Sequence, residues 1–203
     1  MLSQILRSKM WLAVSLFVWL PIFVFPTGSD SRAAEYAVDQ GSNIYSITAG
    51  VVNAGGDLYE DGDGNSLTAI LVMPSYAHFI NRGLGLGGDL LLLHLTQGDE
   101  GETLLGLGPK VIYFFGGEES QAYPFVTAGF YYIRDTEDFG KSTYTIDGTR
   151  FKFGGGVSIM ASTHMGVLME ASYNLDNLKG ENSKKSVSGN MIIFSIGLVG
   201  FSF

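Results

Sequence analysis

From Ala34 onward the chain alternates apolar and polar residues with a period of two, the spacing of a strand whose two faces meet different surroundings. In 165–173, Val167, Met169, Ala171 and Tyr173 share one face, while Gly166, Glu170 and Ser172 share the other. In 150–161, Phe151, Phe153, Val157 and Ile159 oppose Lys152, Gly154, Gly156 and Ser158. In 84–95, Leu90 and Leu92 oppose Gly87 and Asp89, although Leu91 and Leu93 blur the contrast. Eight segments of this kind, rich in β-branched and aromatic residues, lie at 43–51, 67–79, 84–95, 103–115, 123–133, 150–161, 165–173 and 186–203. Strands at such regular spacing predict an all-β sandwich or barrel. Unbroken apolar runs after Ala34, such as Leu90 to Leu93, reach at most five residues, far short of the roughly 20 residues of a spanning helix.

The links alternate in length. Those after the first, third, fifth and seventh segments are long and polar (52–66, 96–102, 134–149, 174–185), and the others are shorter (80–83, 116–122, 163–164). An up-and-down meander then carries its long loops at one end, as transmembrane barrels do. An eight-stranded interior is just wide enough for side chains to fill it. The glycine-and-charge face therefore suits a narrow polar lumen, and the apolar face suits the bilayer. The expected fold is all-β: one eight-stranded antiparallel up-and-down transmembrane β-barrel over 34–203. Aromatic girdles are expected from Tyr45, Phe79, Tyr113, Phe115, Tyr123 and Phe203 at the short-turn end, and from Tyr131, Tyr132, Phe151 and Tyr173 at the long-loop end.

The first 33 residues break this pattern. Arg7 and Lys9 precede an apolar run of 16 residues from Met10 to Phe25, then polar residues and the small pair Ala33–Ala34. This is the order of a cleaved secretory signal peptide, with cleavage expected after Ala33. Its removal takes Arg7, Lys9, Arg32 and Asp30, so a net charge of −8 becomes −10 over 34–203. Such acidity argues against a nucleic-acid partner. The chain has no cysteine, which excludes disulfides and thiolate chemistry. Its 28 glycines suit a narrow lumen in which polar side chains reach across from opposite walls.

The final residues place Val199, Phe201 and Phe203 on one face. With Gly106–Leu107–Gly108–Pro109, Pro124–Phe125–Val126 and Glu170–Ala171–Ser172–Tyr173, this end resembles the small bacterial outer-membrane barrels of the OmpA/OmpX/OmpW-like family. Ser195 and Gly197 depart from the apolar alternation the resemblance calls for. The resemblance implies an outer-membrane location and contact with outer-membrane lipid. It also implies recognition of the Val199, Phe201 and Phe203 end by the barrel assembly machinery. A structural or surface-interaction role follows, with an extracellular partner met through 53–65 and 134–149. The alternative it implies is a small channel or transport barrel for apolar compounds or ions.

The candidate lumen cluster is Asp89, Lys110 and Glu170, with Lys152 a weaker member nearer the long-loop mouth. A hairpin centred near Asp99 makes facing residue numbers sum to 198–199, so Asp89 and Lys110 are expected to face each other. An electrostatic plug is the leading reading of this cluster, and a gate the other. Asp57, Glu60, Asp61 and Asp63 form an acidic loop that at most collects a loose divalent ion. Counted from Asp61, the twelfth position of an EF-hand falls on Val72 rather than a glutamate. His94, near Glu100, Glu102 and Ser66, is the one place a lipid A hydrolase would sit. The compact His-x-Ser pattern of such an enzyme is missing. No catalysis, cofactor or metal is expected.

Overall fold

Eight antiparallel strands pair in chain order and the last returns to the first, closing a barrel. In this computed structural model they are β1 Asn43–Gly55, β2 Leu67–Asn81, β3 Leu84–Gln97, β4 Glu100–Phe114, β5 Ala122–Asp138, β6 Thr143–Met160, β7 Met165–Gly180 and β8 Ser186–Ser202. The described residues are 37–55, 67–97, 100–118, 120–138, 143–180 and 186–203. The segment expected to be a signal peptide, the acidic cluster Asp57, Glu60, Asp61 and Asp63, residue Ser66 and the side chains of Glu100 and Glu102 lie outside them.

The strands run further than the sequence pattern indicates. β3 runs to Gln97 and β4 starts at Glu100, so 96–97 and 100–102 belong to strands rather than to a long loop, and β5 and β6 likewise take 134–138 and 143–149. β7 continues to Gly180 through residues expected to be a link. The register of β3 on β4 also differs from expectation. Facing numbers sum to 197, which sets Asp89 against Gly108 and Lys110 against Gly87.

Closure gives each strand an outer and an inner face. The outer face is apolar, with Ile70, Phe194 and Val51 the most exposed of many large side chains. A bilayer requires every backbone polar group to be paired, and a closed ladder meets that demand. The interior is not the uniformly polar lumen expected. A lower cluster at the short-turn end contains Ile44, Phe79, Ile112, Phe114, Phe125, Leu168, Val199 and Phe201. Phe114 is its hub, with ring centroids 5.8 Å from Phe79, 5.2 Å from Phe125 and 6.2 Å from Phe201. Val38 seals the mouth beneath them, its carbonyl accepting the Gly83 N–H at 2.7 Å. An upper cluster holds Val52, Leu71, Leu91, Leu93, Leu104, Ile133, Leu178 and Met191. The two ends of so narrow a lumen are filled like a protein core.

Two placements follow that parity did not predict. Phe79, Tyr123 and Tyr131 point inward and are buried, so they are not girdle residues, whereas Tyr113, Phe115, Tyr132, Phe151 and Tyr173 do face outward. In β8 the membrane face is Ile192, Phe194, Ile196 and Leu198, while Val199 and Phe201 belong to the lower cluster. Ser195 and Gly197 break the apolar alternation because they share the inner face with Val199. Phe203 follows the strand and stacks on His164 with centroids 4.7 Å apart.

Candidate functional site

A charged layer crosses the barrel between the two apolar clusters. Asp89 on β3 is fully buried. Its Oδ1 lies 2.9 Å from Lys110 Nζ of β4, and its Oδ2 lies 3.6 Å from Lys152 Nζ of β6. Oδ2 also accepts a 2.6 Å hydrogen bond from the Tyr131 hydroxyl of β5. Lys110 additionally donates to the Ser75 hydroxyl of β2. Asp89 and Lys110 therefore meet along a diagonal, because the true register moves Lys110 one inner position away from facing Asp89.

Lys152 is a hub of the layer rather than a peripheral member. It lies 2.7 Å from Glu170 Oε1 on β7 and 3.7 Å from the Met73 sulfur on β2. The ladder explains its height. Lys110 and Lys152 both pair with Gly129, one from each side, so both lysines stand at one level. Glu170 pairs with Gly156, four residues along β6 from Lys152, and Gly154 lies between. A Cβ built on Gly154 would stand 3.1 Å from Glu170 Oε1, so glycine there leaves the ion pair its room. Gly129 serves Tyr131 likewise, since a Cβ on it would come within 2.5 Å of the Tyr131 hydroxyl oxygen.

A second buried pair was not read from the sequence. Arg150 of β6 faces Asp176 of β7 and binds it through two contacts, Nε–Oδ1 at 2.6 Å and Nη2–Oδ2 at 2.7 Å. Both side chains are wholly buried. Parallel guanidinium–carboxylate bonds of this kind are the strong, geometrically specific ones. The interior thus carries Lys110, Lys152 and Arg150 against Asp89, Glu170 and Asp176, a neutral set. Neutrality and close pairing are the conditions under which charge tolerates removal from water.

This arrangement ties opposite walls together across the lumen and occupies its cross-section. The histidines stand elsewhere. His94 faces Thr103 on the outer surface of β3 and β4, with Nδ1 3.2 Å from the threonine hydroxyl. His78 meets Asn43 at 3.0 Å, and His164 stacks on Phe203. Among the described residues no group of three or more His, Cys, Asp or Glu could hold a metal ion, and no helix is long and apolar enough to cross a membrane.

No protein-family model and no curated protein matches the chain. Solved structures do. Neisserial surface protein A superposes with a TM-score of 0.63 at 18% identity, over 79% of this chain and 99% of that one. AlkL, an outer membrane protein solved in DMPC lipid bilayers, gives 0.53 at 16% identity over 88% and 97%. OprG, an outer membrane protein of Pseudomonas aeruginosa, gives 0.50 at 14% identity over 83% and 97%. At these identities the likeness is one of fold, and the fold of this chain is that of the small eight-stranded outer-membrane β-barrels.

Proposed function

We propose that this protein is an outer-membrane barrel with a structural or surface-interaction role, one that conducts nothing along its axis. The observation that carries the reading is the filled interior: paired charges across the middle, with apolar side chains packed above and below. Export by a signal peptide cleaved after Ala33 brings the chain to the periplasm. There the barrel assembly machinery engages the Val199, Phe201 and Phe203 end, and outer-membrane lipid becomes the solvent of the outer face. The segments 53–65 and 134–149 are the surface offered to an extracellular partner. The exposed Arg134–Asp147 pair, 2.7 Å apart, faces solvent within the second.

Conductance in planar bilayers tests this reading. Neither the wild type nor Lys110→Ala is expected to produce current steps. Resolved steps from the wild type would overturn the reading and bring forward the channel or transport barrel. Lipid A mass profiles are expected to be identical in cells with and without the protein, because no catalytic step is assigned to His94. Location is checked by membrane fractionation with heat-dependent gel mobility, and recovery in the soluble periplasm would refute it.

A further inference from the structure

Strands β8, β1 and β2 are consecutive neighbours in the closed sheet and contain no Asp, Glu, Lys or Arg. The six paired interior charges stand on β3, β4, β6 and β7, and Tyr131 ties β5 into the same layer. The wall from β3 to β7 is therefore held by ion pairs in addition to its backbone ladder. The pairing of β8 with β1 has the ladder and apolar packing. Lys110 reaches the Ser75 hydroxyl and Lys152 the Met73 sulfur, both on β2. No charged side chain on β8 or β1 answers them across the lumen.

The consequence is mechanical. Parting strands between β3 and β7 separates paired charges where no water replaces the lost partner. Parting β8 from β1 leaves each of these ion pairs intact. The two flanking seams carry side-chain ties besides their ladders: Asn174 Nδ2 of β7 donates to the Met191 carbonyl of β8 at 3.4 Å, and the Tyr76 hydroxyl of β2 donates to Asn43 Oδ1 of β1 at 2.9 Å.

Going beyond the role proposed above, we propose that the β8–β1 pairing is the joint at which this barrel opens first, sideways toward the membrane. The β3–β7 wall is then a charge-clamped body that stays shut. The fold contains a built-in asymmetry: sealed along its axis, and weakest at one seam.

Hydrogen exchange of the folded protein in lipid nanodiscs tests this. Amides of 47–52 and 193–198, which pair with each other, are expected to exchange about tenfold or more faster than those of 152–157 and 169–174, which pair at a comparable depth. Equal rates, or faster exchange in β6 and β7, overturn the proposal. Cysteine pairs bridged by a short bifunctional reagent give a second readout that does not depend on exchange. Val51→Cys with Phe194→Cys spans the seam, and Phe153→Cys with Tyr173→Cys spans the clamped wall, each at facing positions. Bridging the seam is expected to raise the temperature of the heat-dependent mobility change, and bridging the clamped wall to leave it unchanged. Any other ranking overturns the proposal.

Discussion

The middle of the barrel and its lower end fill the same narrow cross-section by opposite means. At the lower end, Phe79, Phe114, Phe125 and Phe201 pack ring against ring. In the middle, Asp89, Lys110, Lys152 and Glu170 fill the space as charges. Aromatic packing loses stability in proportion to the volume removed, because neighbouring atoms relax only in part. A buried charge layer responds as a unit, because deleting one member strands its partner in a medium that cannot solvate it. The lower end is therefore graded and the middle close to all-or-none.

The largest effect is expected at Asp89, the one carboxylate that answers two lysines and a tyrosine. Asp89→Ala should cost at least the roughly 3–5 kcal/mol typical of a broken buried pair. The measurement is the urea midpoint of the folded-to-unfolded gel shift in lipid vesicles, and a loss below that of an aromatic truncation would erase the contrast. Arg150→Met should cost about 3–5 kcal/mol by leaving Asp176 buried beside an apolar side chain. The double variant Arg150→Met with Asp176→Leu should recover most of that loss, since well-packed apolar residues replace a buried pair at little cost. Failure of the double variant to recover would mean that the pair acts through something other than its mutual charge.

The two layers were unequally legible in the sequence, for reasons visible in particular residues. Asp89, Lys110 and Glu170 announced themselves because each interrupts an apolar strand with a charge at a position of known parity. Lys152 had the same signal, but its height depended on a register that sequence spacing left uncertain by one or two residues. Slips of that size move a lysine from the rim to the hub. Arg150 and Asp176 were missed because Asn174–Leu175–Asp176–Asn177 has the composition of a turn, although its inner positions continue β7 to Leu178. Tyr131 was hidden within Phe130–Tyr131–Tyr132–Ile133, where four apolar residues in a row abolish the period-two signal. The barrel itself was legible because eight alternating segments carry redundant information. No single contact is specified that way.

The graded side of the comparison is sharpened by Phe114→Leu. Leucine fills most of the phenylalanine volume but loses the edge and tilted contacts to three rings. The expected cost is about 1–2 kcal/mol, well below that of Asp89→Ala, with folding and membrane insertion retained. A loss as large as that at Asp89 would show that the lower cluster also behaves as a unit, and the distinction between the layers would fail.

The smallest effect is expected from a pair that shares the residue types and the facing register of Arg150–Asp176 but not its burial. Arg134 and Asp147 also face each other on adjacent strands, with Nε 2.7 Å from Oδ1. Their side chains, however, are 54% and 45% exposed at the long-loop rim, where Arg134 also lies over the Tyr132 ring at 5.9 Å. Water solvates each group when the other is removed, and salt screens what attraction remains. Arg134→Ala is therefore expected to leave the urea midpoint unchanged at low and high salt alike. The same kind of ion pair, on the β5–β6 ladder and on the adjacent β6–β7 ladder, isolates burial as the variable. A midpoint shift at Arg134 as large as that of Arg150→Met would mean that strand pairing, and not the dryness of the interior, sets the strength of both.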